Sequence, residues 1–122
     1  MTVVGERTEL GVWVGVARID QLEQGRGVAA IIAGVQIALF RVFDPVRGVD
    51  EFFAIDNWDP FSDANVLARG IVGDVSGEPK VASPIYKHCF SLRTGQCLDD
   101  STVSVNVYDV RIVDTAVEIR VP

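Results

Sequence analysis

Few side chains in this sequence are suited to act as nucleophile, base or metal ligand. There is one histidine, His88, and there are two cysteines, Cys89 and Cys97. A histidine-assisted nucleophile would have to be built around His88. Its neighbour Cys89 is badly placed for that, because adjacent side chains of an extended strand point to opposite faces. Cys97 or a serine brought in by the fold remains open as a partner, beside the plainer reading of His88 as a surface or interface residue. A zinc site made from His88, Cys89 and Cys97 lacks a fourth ligand, and the spacing fits no common finger. Asp56, Asp59, Asp63 and Asp74 lie in what reads as a central loop region. Such a group can supply an acid–base pair, but carboxylates in polar loops are usually solvated or cap turns. Trp58, Phe61 and Tyr86 stand in loop-like segments beside Pro60 and Pro84. Aromatics so placed either fill a small core or anchor an interface.

Gly25-Arg-Gly-Val-Ala-Ala30 has the spacing G-x-G-x-x-A. A dinucleotide-binding loop needs a strand before that motif and a helix after it. Here the polar Asp20-Gln-Leu-Glu-Gln24 precedes it and a strand-like run follows, so the segment reads as a turn. There is no P-loop.

The elements that must position these residues are strands. Val103, Val105 and Val107 alternate with Ser104 and Asn106; Val110 and Ile112 flank Arg111; Val117, Ile119 and Val121 alternate with Glu118 and Arg120. Alternation of period two with β-branched residues is the pattern of a half-buried strand. Val12-Trp-Val-Gly-Val-Ala17, Val35-Gln-Ile-Ala-Leu-Phe-Arg-Val-Phe43 and Glu51-Phe-Phe-Ala-Ile55 read the same way. Turn residues punctuate them at Gln24-Gly-Arg-Gly27, Asp44-Pro-Val-Arg-Gly48, Asp99-Asp-Ser101 and Val113-Asp-Thr115. Gly95 suits the positive φ of a tight hairpin between Cys89–Leu92 and Gln96–Leu98, which puts the two cysteines on adjacent strands. Helical spacing is never held for three turns; Asp20 to Glu23 and Ser62 to Leu67 each suffice for one short turn. Many short strands with frequent turns predict an all-β sandwich or barrel.

The 122 residues amount to one domain, 1–122, with 48% hydrophobic and 23% charged residues, which excludes disorder. Seventeen acidic against eleven basic residues give a net charge of −6, and the basic residues are scattered. That argues against nucleic acid and anionic membrane as partners. The longest apolar stretch, Val28 to Phe40, contains Gly34 and Gln36 and falls short of the ~20 residues that span a bilayer. Met1-Thr-Val-Val-Gly-Glu-Arg7 lacks the pattern of an export signal, so a cytoplasmic location with free thiols is expected.

Two segments together resemble a known family. Phe53-Ala-Ile-Asp-Asn-Trp-Asp-Pro-Phe61 and Ala82-Ser-Pro-Ile-Tyr-Lys-His-Cys-Phe-Ser-Leu-Arg-Thr-Gly-Gln-Cys-Leu98 resemble the cluster-binding segments of Rieske-type [2Fe–2S] domains. In those the first loop reads C-x-H and the second C-x-x-H, ahead of an F-x-L-x-T-G hairpin. By position the ligands fall on Asp59 and Phe61, and on Ser83 and Tyr86. A Rieske centre takes two thiolates and two imidazoles, so the resemblance implies the fold without a cluster.

Within that family Asn57-Trp-Asp-Pro-Phe-Ser62, Ala64 to Asp74 and Val81 to His88 are similar to the small subunits of cytoplasmic assimilatory NAD(P)H-dependent nitrite reductases, over about residues 10–121. The resemblance implies a Rieske-like stack of small antiparallel sheets with both former cluster loops at one tip. It also implies a large-subunit partner carrying FAD, siroheme and an iron–sulfur cluster, which reduces nitrite to ammonia. This chain would then be a non-catalytic accessory subunit with no cofactor or metal of its own. Its interface candidates are Trp58, Pro60, Phe61, Pro84, Tyr86, Lys87 and His88. The expected packing at the tip sets Trp58, Pro60 and Phe61 against Pro84, Ile85 and Tyr86. Two alternatives stand beside this one: a Rieske-shaped adaptor for another oxidoreductase, and an electron-transfer ferredoxin with an unusual centre.

Overall fold

The computed structural model describes residues 11–121 and the backbone of residues 7–8; residues 1–6, read above for an export signal, lie outside it. Thirteen strands follow one another: β1 (Arg7–Thr8), β2 (Gly11–Arg18), β3 (Gly27–Ile32), β4 (Val35–Asp44), β5 (Val49–Asp56), β6 (Trp58–Asp59), β7 (Ala64–Asn65), β8 (Ile71–Val75), β9 (Glu78–Ala82), β10 (Cys89–Ser91), β11 (Val107–Tyr108), β12 (Val110–Val113) and β13 (Ala116–Val121). They form sheets of order β1-β2-β13-β12, β11-β5-β4-β3 and β10-β9-β8, plus the ribbon β6-β7, and every pairing between these strands is antiparallel. This is the all-β stack of small sheets expected from the sequence. No helix among the described residues is long and apolar enough to cross a membrane.

The middle sheet is covered on both faces, and β4 is where the two cores divide. Ile37 and Leu39 point into one cluster with Val14, Ile32, Ala54, Val117 and Ile119. Ala38 and Phe40 point into the other with Ile55, Leu67, Val81, Phe90, Leu92, Cys97 and Val105. Successive strand side chains face opposite ways, so four consecutive buried residues require a layer on each side. The first sheet supplies one cover and the β10-β9-β8 sheet the other. At the margin of the middle sheet, β3 pairs with β4 alone, and Ile31 on it is 68% exposed.

The turns follow their residues. Ala33 and Gly34, with φ of 51° and 80°, join β3 to β4; Ser76 and Gly77, at 51° and 84°, join β8 to β9. Two consecutive positive φ values match the twist that a two-residue hairpin loop must have. The segment read as a dinucleotide motif is a turn leading into β3, as expected. The short helical turn expected within Asp20 to Glu23 is a 3₁₀ turn at Ile19–Gln21. That expected over Ser62 to Leu67 falls later, at Leu67–Arg69, after the β6-β7 ribbon has closed.

Two expectations need correction. Residues 103–107 alternate as a strand should, but only Val107–Tyr108 joins a ladder. Upstream, Cys97 N–H donates to Val103 O and Val105 N–H to Gly95 O, both at 2.9 Å, so the segment is spent in single bonds to the Gly95 hairpin. The central loop region is also more ordered than its acidic residues suggest, since Asp56, Asp59 and Asp74 lie within β5, β6 and β8.

Gly95 itself has φ of 76°, and a Cβ there would collide with the carbonyl oxygen of Val105. Gly95→Ala is therefore expected to cost on the order of 2 kcal/mol, through the left-handed conformation and the clash together. A fall in the urea midpoint at unchanged m-value would register this.

Candidate functional site

Two loops meet through Asp59 and Ser83. The first leaves β5, makes the β6-β7 ribbon and turns at Asp63, which takes a φ of 60° and donates its N–H to Asp59 O at 2.8 Å. The second runs from Ser83 to His88 between β9 and β10 and is closed by Ser83 N–H on His88 O at 2.9 Å. Asp59 has no exposed surface and Ser83 has 1%. The Ser83 hydroxyl donates to Asp59 Oδ2 at 2.5 Å and the Ser62 hydroxyl to the same oxygen at 2.8 Å; Phe61 N–H donates to Oδ1 at 2.9 Å. Burial alone would push the Asp59 carboxyl up. The hydrogen bonds from Ser83, Ser62 and the backbone of Phe61 and Ser62 outweigh it and hold the group below the ordinary aspartate range.

Asn57, a buried residue that reasoning from chemistry-bearing types passed over, anchors the first loop. Its carbonyl accepts from Val66 and Leu67 N–H at 2.9 and 3.0 Å, and its Oδ1 from Ala68 N–H at 2.7 Å. Its Nδ2 donates to Gln36 Oε1 at 3.1 Å, tying the loop to β4. Its place in the Asn57-Trp-Asp-Pro segment was the available signal.

Apolar packing then divides the loop residues. Phe61 stacks on His88 with ring centroids 3.6 Å apart and planes 7° from parallel, and it also meets Phe90 at 6.2 Å. The Nδ1 of His88 is buried without a hydrogen-bond partner among the described residues. The expected packing of Trp58, Pro60 and Phe61 on Pro84, Ile85 and Tyr86 is replaced by this stack. Only Phe61 turns inward. Trp58, Ile85 and Tyr86 are 41%, 46% and 63% exposed, and Pro60, Pro84 and Lys87 are exposed with them. In β6 the inward Asp59 sends its neighbour Trp58 outward, while Pro84, Ile85 and Tyr86 form the exposed turn that follows Ser83.

The other candidates are dispersed. Asp56 accepts from the Tyr108 hydroxyl at 2.6 Å, while burial and then that carboxylate push the phenol well above its usual range. Asp74 caps the Gly77 turn. Cys97 lies opposite Phe90 in the core, whereas Cys89 looks the other way toward the Lys80 ammonium at 3.4 Å, and both thiols are free. Among the described residues no three His, Cys, Asp or Glu side chains gather as a metal site.

Residues 12–120 match the family described as the Rieske-like [2Fe–2S] domain. The chain is 42% identical to the nitrite reductase (NADH) small subunit of Salmonella typhimurium over 108 residues, which is 88% of this chain and 96% of that one. It superposes on the NMR structure of the Escherichia coli protein NirD with a TM-score of 0.78 at 38% identity, covering 88% of this chain and 94% of that one. It is also similar to part of a larger protein. The nitrite reductase [NAD(P)H] large subunit of Klebsiella oxytoca is 40% identical over 100 residues, 82% of this chain but 10% of that protein. The residues that the resemblance sets at the ligand positions, Asp59, Phe61, Ser83 and Tyr86, do not fit the group that the family's description names. A Rieske centre requires two thiolates and two imidazoles. Asp59 is a hard oxygen donor already engaged by hydrogen bonds from Ser62, Ser83 and Phe61, Phe61 has no lone pair, Ser83 donates its hydroxyl to Asp59, and Tyr86 offers a phenol in place of an imidazole.

Because the Asp59 carboxyl is held low, its contribution to stability is complete above the ordinary aspartate pKa near ~3.9 and is lost as the pH falls through the folded value. Asp59→Asn is expected to be less stable at pH 7 by about 1–3 kcal/mol. It should also lose less than the wild type on acidification, a difference visible in melting temperatures from pH 7 to pH 2. Phe61→Ala, which empties one side of the His88 stack, should cost about 2–4 kcal/mol in chemical denaturation.

Proposed function

This chain belongs to the Rieske-like domain family, among the small subunits of nitrite reductase, and we propose that it is a non-catalytic accessory subunit which docks on a large subunit through its loop tip. What supports this reading is the set of residues, Asp59, Phe61, Ser83 and Tyr86, at the positions that the resemblance assigns to cluster ligands. The fold is kept, the donors are gone, and the space is closed by a buried hydrogen-bond knot with aromatic side chains displayed around it. A domain so altered has no group to pass electrons, but it retains a shaped surface. Exposed tryptophan and tyrosine are residue types that anchor protein interfaces. A similar segment within a larger nitrite reductase chain agrees with a domain that works against that enzyme's body.

In this reading the enzyme is an assimilatory NAD(P)H nitrite reductase of the cytoplasm. Its FAD, siroheme and iron–sulfur cluster reside on the large subunit, which takes nitrite to ammonia. The small subunit stabilises or orients that partner and supplies no reacting group.

Reconstitution tests the proposal. The large subunit, purified with and without this chain, is assayed for co-elution and for NAD(P)H-dependent nitrite reduction. Co-elution with raised activity or cofactor retention is the expected result; no association and no effect would leave a Rieske-shaped adaptor for another oxidoreductase. Iron analysis after anaerobic purification checks the ferredoxin alternative, and stoichiometric iron with a Rieske-type spectrum would establish it instead. Tyr86→Ala, on a side chain mostly in solvent, should weaken association by about tenfold while moving the melting temperature little.

A further inference from the structure

In a Rieske centre the two loops are held together by the metal they share. Here the two positions corresponding to its cysteines meet directly, through the Ser83 hydroxyl on Asp59 Oδ2, with Ser62 on the same oxygen. Asp59 and Ser83 are buried, at 0% and 1% exposure. Asp59 adjoins the exposed Trp58, and Ser83 opens the turn that carries the exposed Tyr86. In β6 the inward turn of Asp59 puts Trp58 on the outer face, since successive strand side chains alternate. In the second loop Ser83 closes the turn through His88 O, and Ile85 N–H lies 3.4 Å from Ser83 Oγ. That closed turn lifts Ile85 and Tyr86 into solvent.

We infer that Asp59, Ser62 and Ser83 form a metal-free lock that takes the place of a cluster as the link between the loops and positions Trp58 and Tyr86 for docking on the large subunit. The inference rests on the small-subunit reading above and extends it to how the docking surface is made. The three are positioning residues. The lock is directional, because the carboxylate only accepts and both hydroxyls donate to it, so the loops are fixed in one relative placement. The side chains these loops expose are Trp58, Ile85 and Tyr86, with Pro60, Pro84 and the cation of Lys87. A matching surface on the large subunit is apolar and edged with carboxylate.

The experiment pairs two readouts on the whole small subunit: hydrogen exchange at the amides of residues 59, 61–63, 83 and 85–88, and the Kd for the purified large subunit. Ser83→Ala is expected to keep a cooperative melting transition, to speed exchange in both loops, and to raise Kd at least tenfold. Tyr86→Ala should raise Kd with exchange unchanged, and an iron chelator should alter neither quantity. Ser62→Ala, which removes one donor on the less buried side, should repeat the Ser83→Ala pattern at smaller amplitude, and so carries the test if Ser83→Ala does not fold. Faster exchange with an unaltered Kd would overturn the positioning role, and unaltered exchange would overturn the lock. Failure of the wild-type chain to bind at all would instead refute the small-subunit reading on which the inference stands.

Discussion

A carboxylate with no contact to water must be fully hydrogen-bonded or be neutral, and the tip of this molecule is arranged around that requirement. Asp59 satisfies it with two serine hydroxyls and a backbone amide drawn from both loops. The donors leave little freedom in where the loops lie. Residues 60–63 must curl to bring Ser62 and the Phe61 amide onto the carboxylate, and residues 83–88 must close so that Ser83 reaches inward. The Phe61–His88 stack fills the apolar side of the same junction. Polar and apolar terms thus cooperate: the knot sets direction and the rings exclude the water that would compete for its hydrogen bonds.

Beneath the tip, the division of β4 between two cores gives the loops a stiff base. Phe40 and Leu39 are neighbours in sequence yet serve different clusters, one beneath the loops and one toward the terminal strands. Asn57 passes this rigidity onward, since it takes its footing on Gln36 and gathers the amides of Val66, Leu67 and Ala68. A site made by short loops can hold its shape here because both its ends leave from, or return to, residues fixed in the sheets.

Much of the architecture was legible in the sequence, because alternation with β-branched residues marks strands whatever the topology. β2, β4, β5, β12 and β13 lie where that pattern put them, and Gly95 takes the positive φ assigned to it. The F-x-L-x-T-G hairpin and the two degenerate loop motifs placed the tip. Alternation does not report which strands find partners, so 103–107 reads as a strand although its hydrogen bonds go elsewhere. Nor does it reveal a hairpin in polar sequence, and β8-β9 with its Ser76-Gly77 turn was hidden among acidic residues. Residue type also misled about depth. Asp59 reads as a solvated loop carboxylate and is wholly buried, whereas Tyr86 reads equally as core or surface and is exposed. Burial at the tip is decided by contacts between segments twenty-four residues apart, which no local pattern encodes.

The margin of the middle sheet has a consequence for handling the protein. β3 reads Gly27-Val-Ala-Ala-Ile-Ile32, without proline or charge, and no described strand pairs with its outer side. A strand margin of this composition is a template on which another strand can add, and natural sheets usually blunt such margins with lysine, proline or a bulge. Concentrated alone, the chain therefore offers at β3 a route to strand-by-strand aggregation. A lysine in place of Ile31, whose side chain is mostly in solvent, would obstruct that route without disturbing either core.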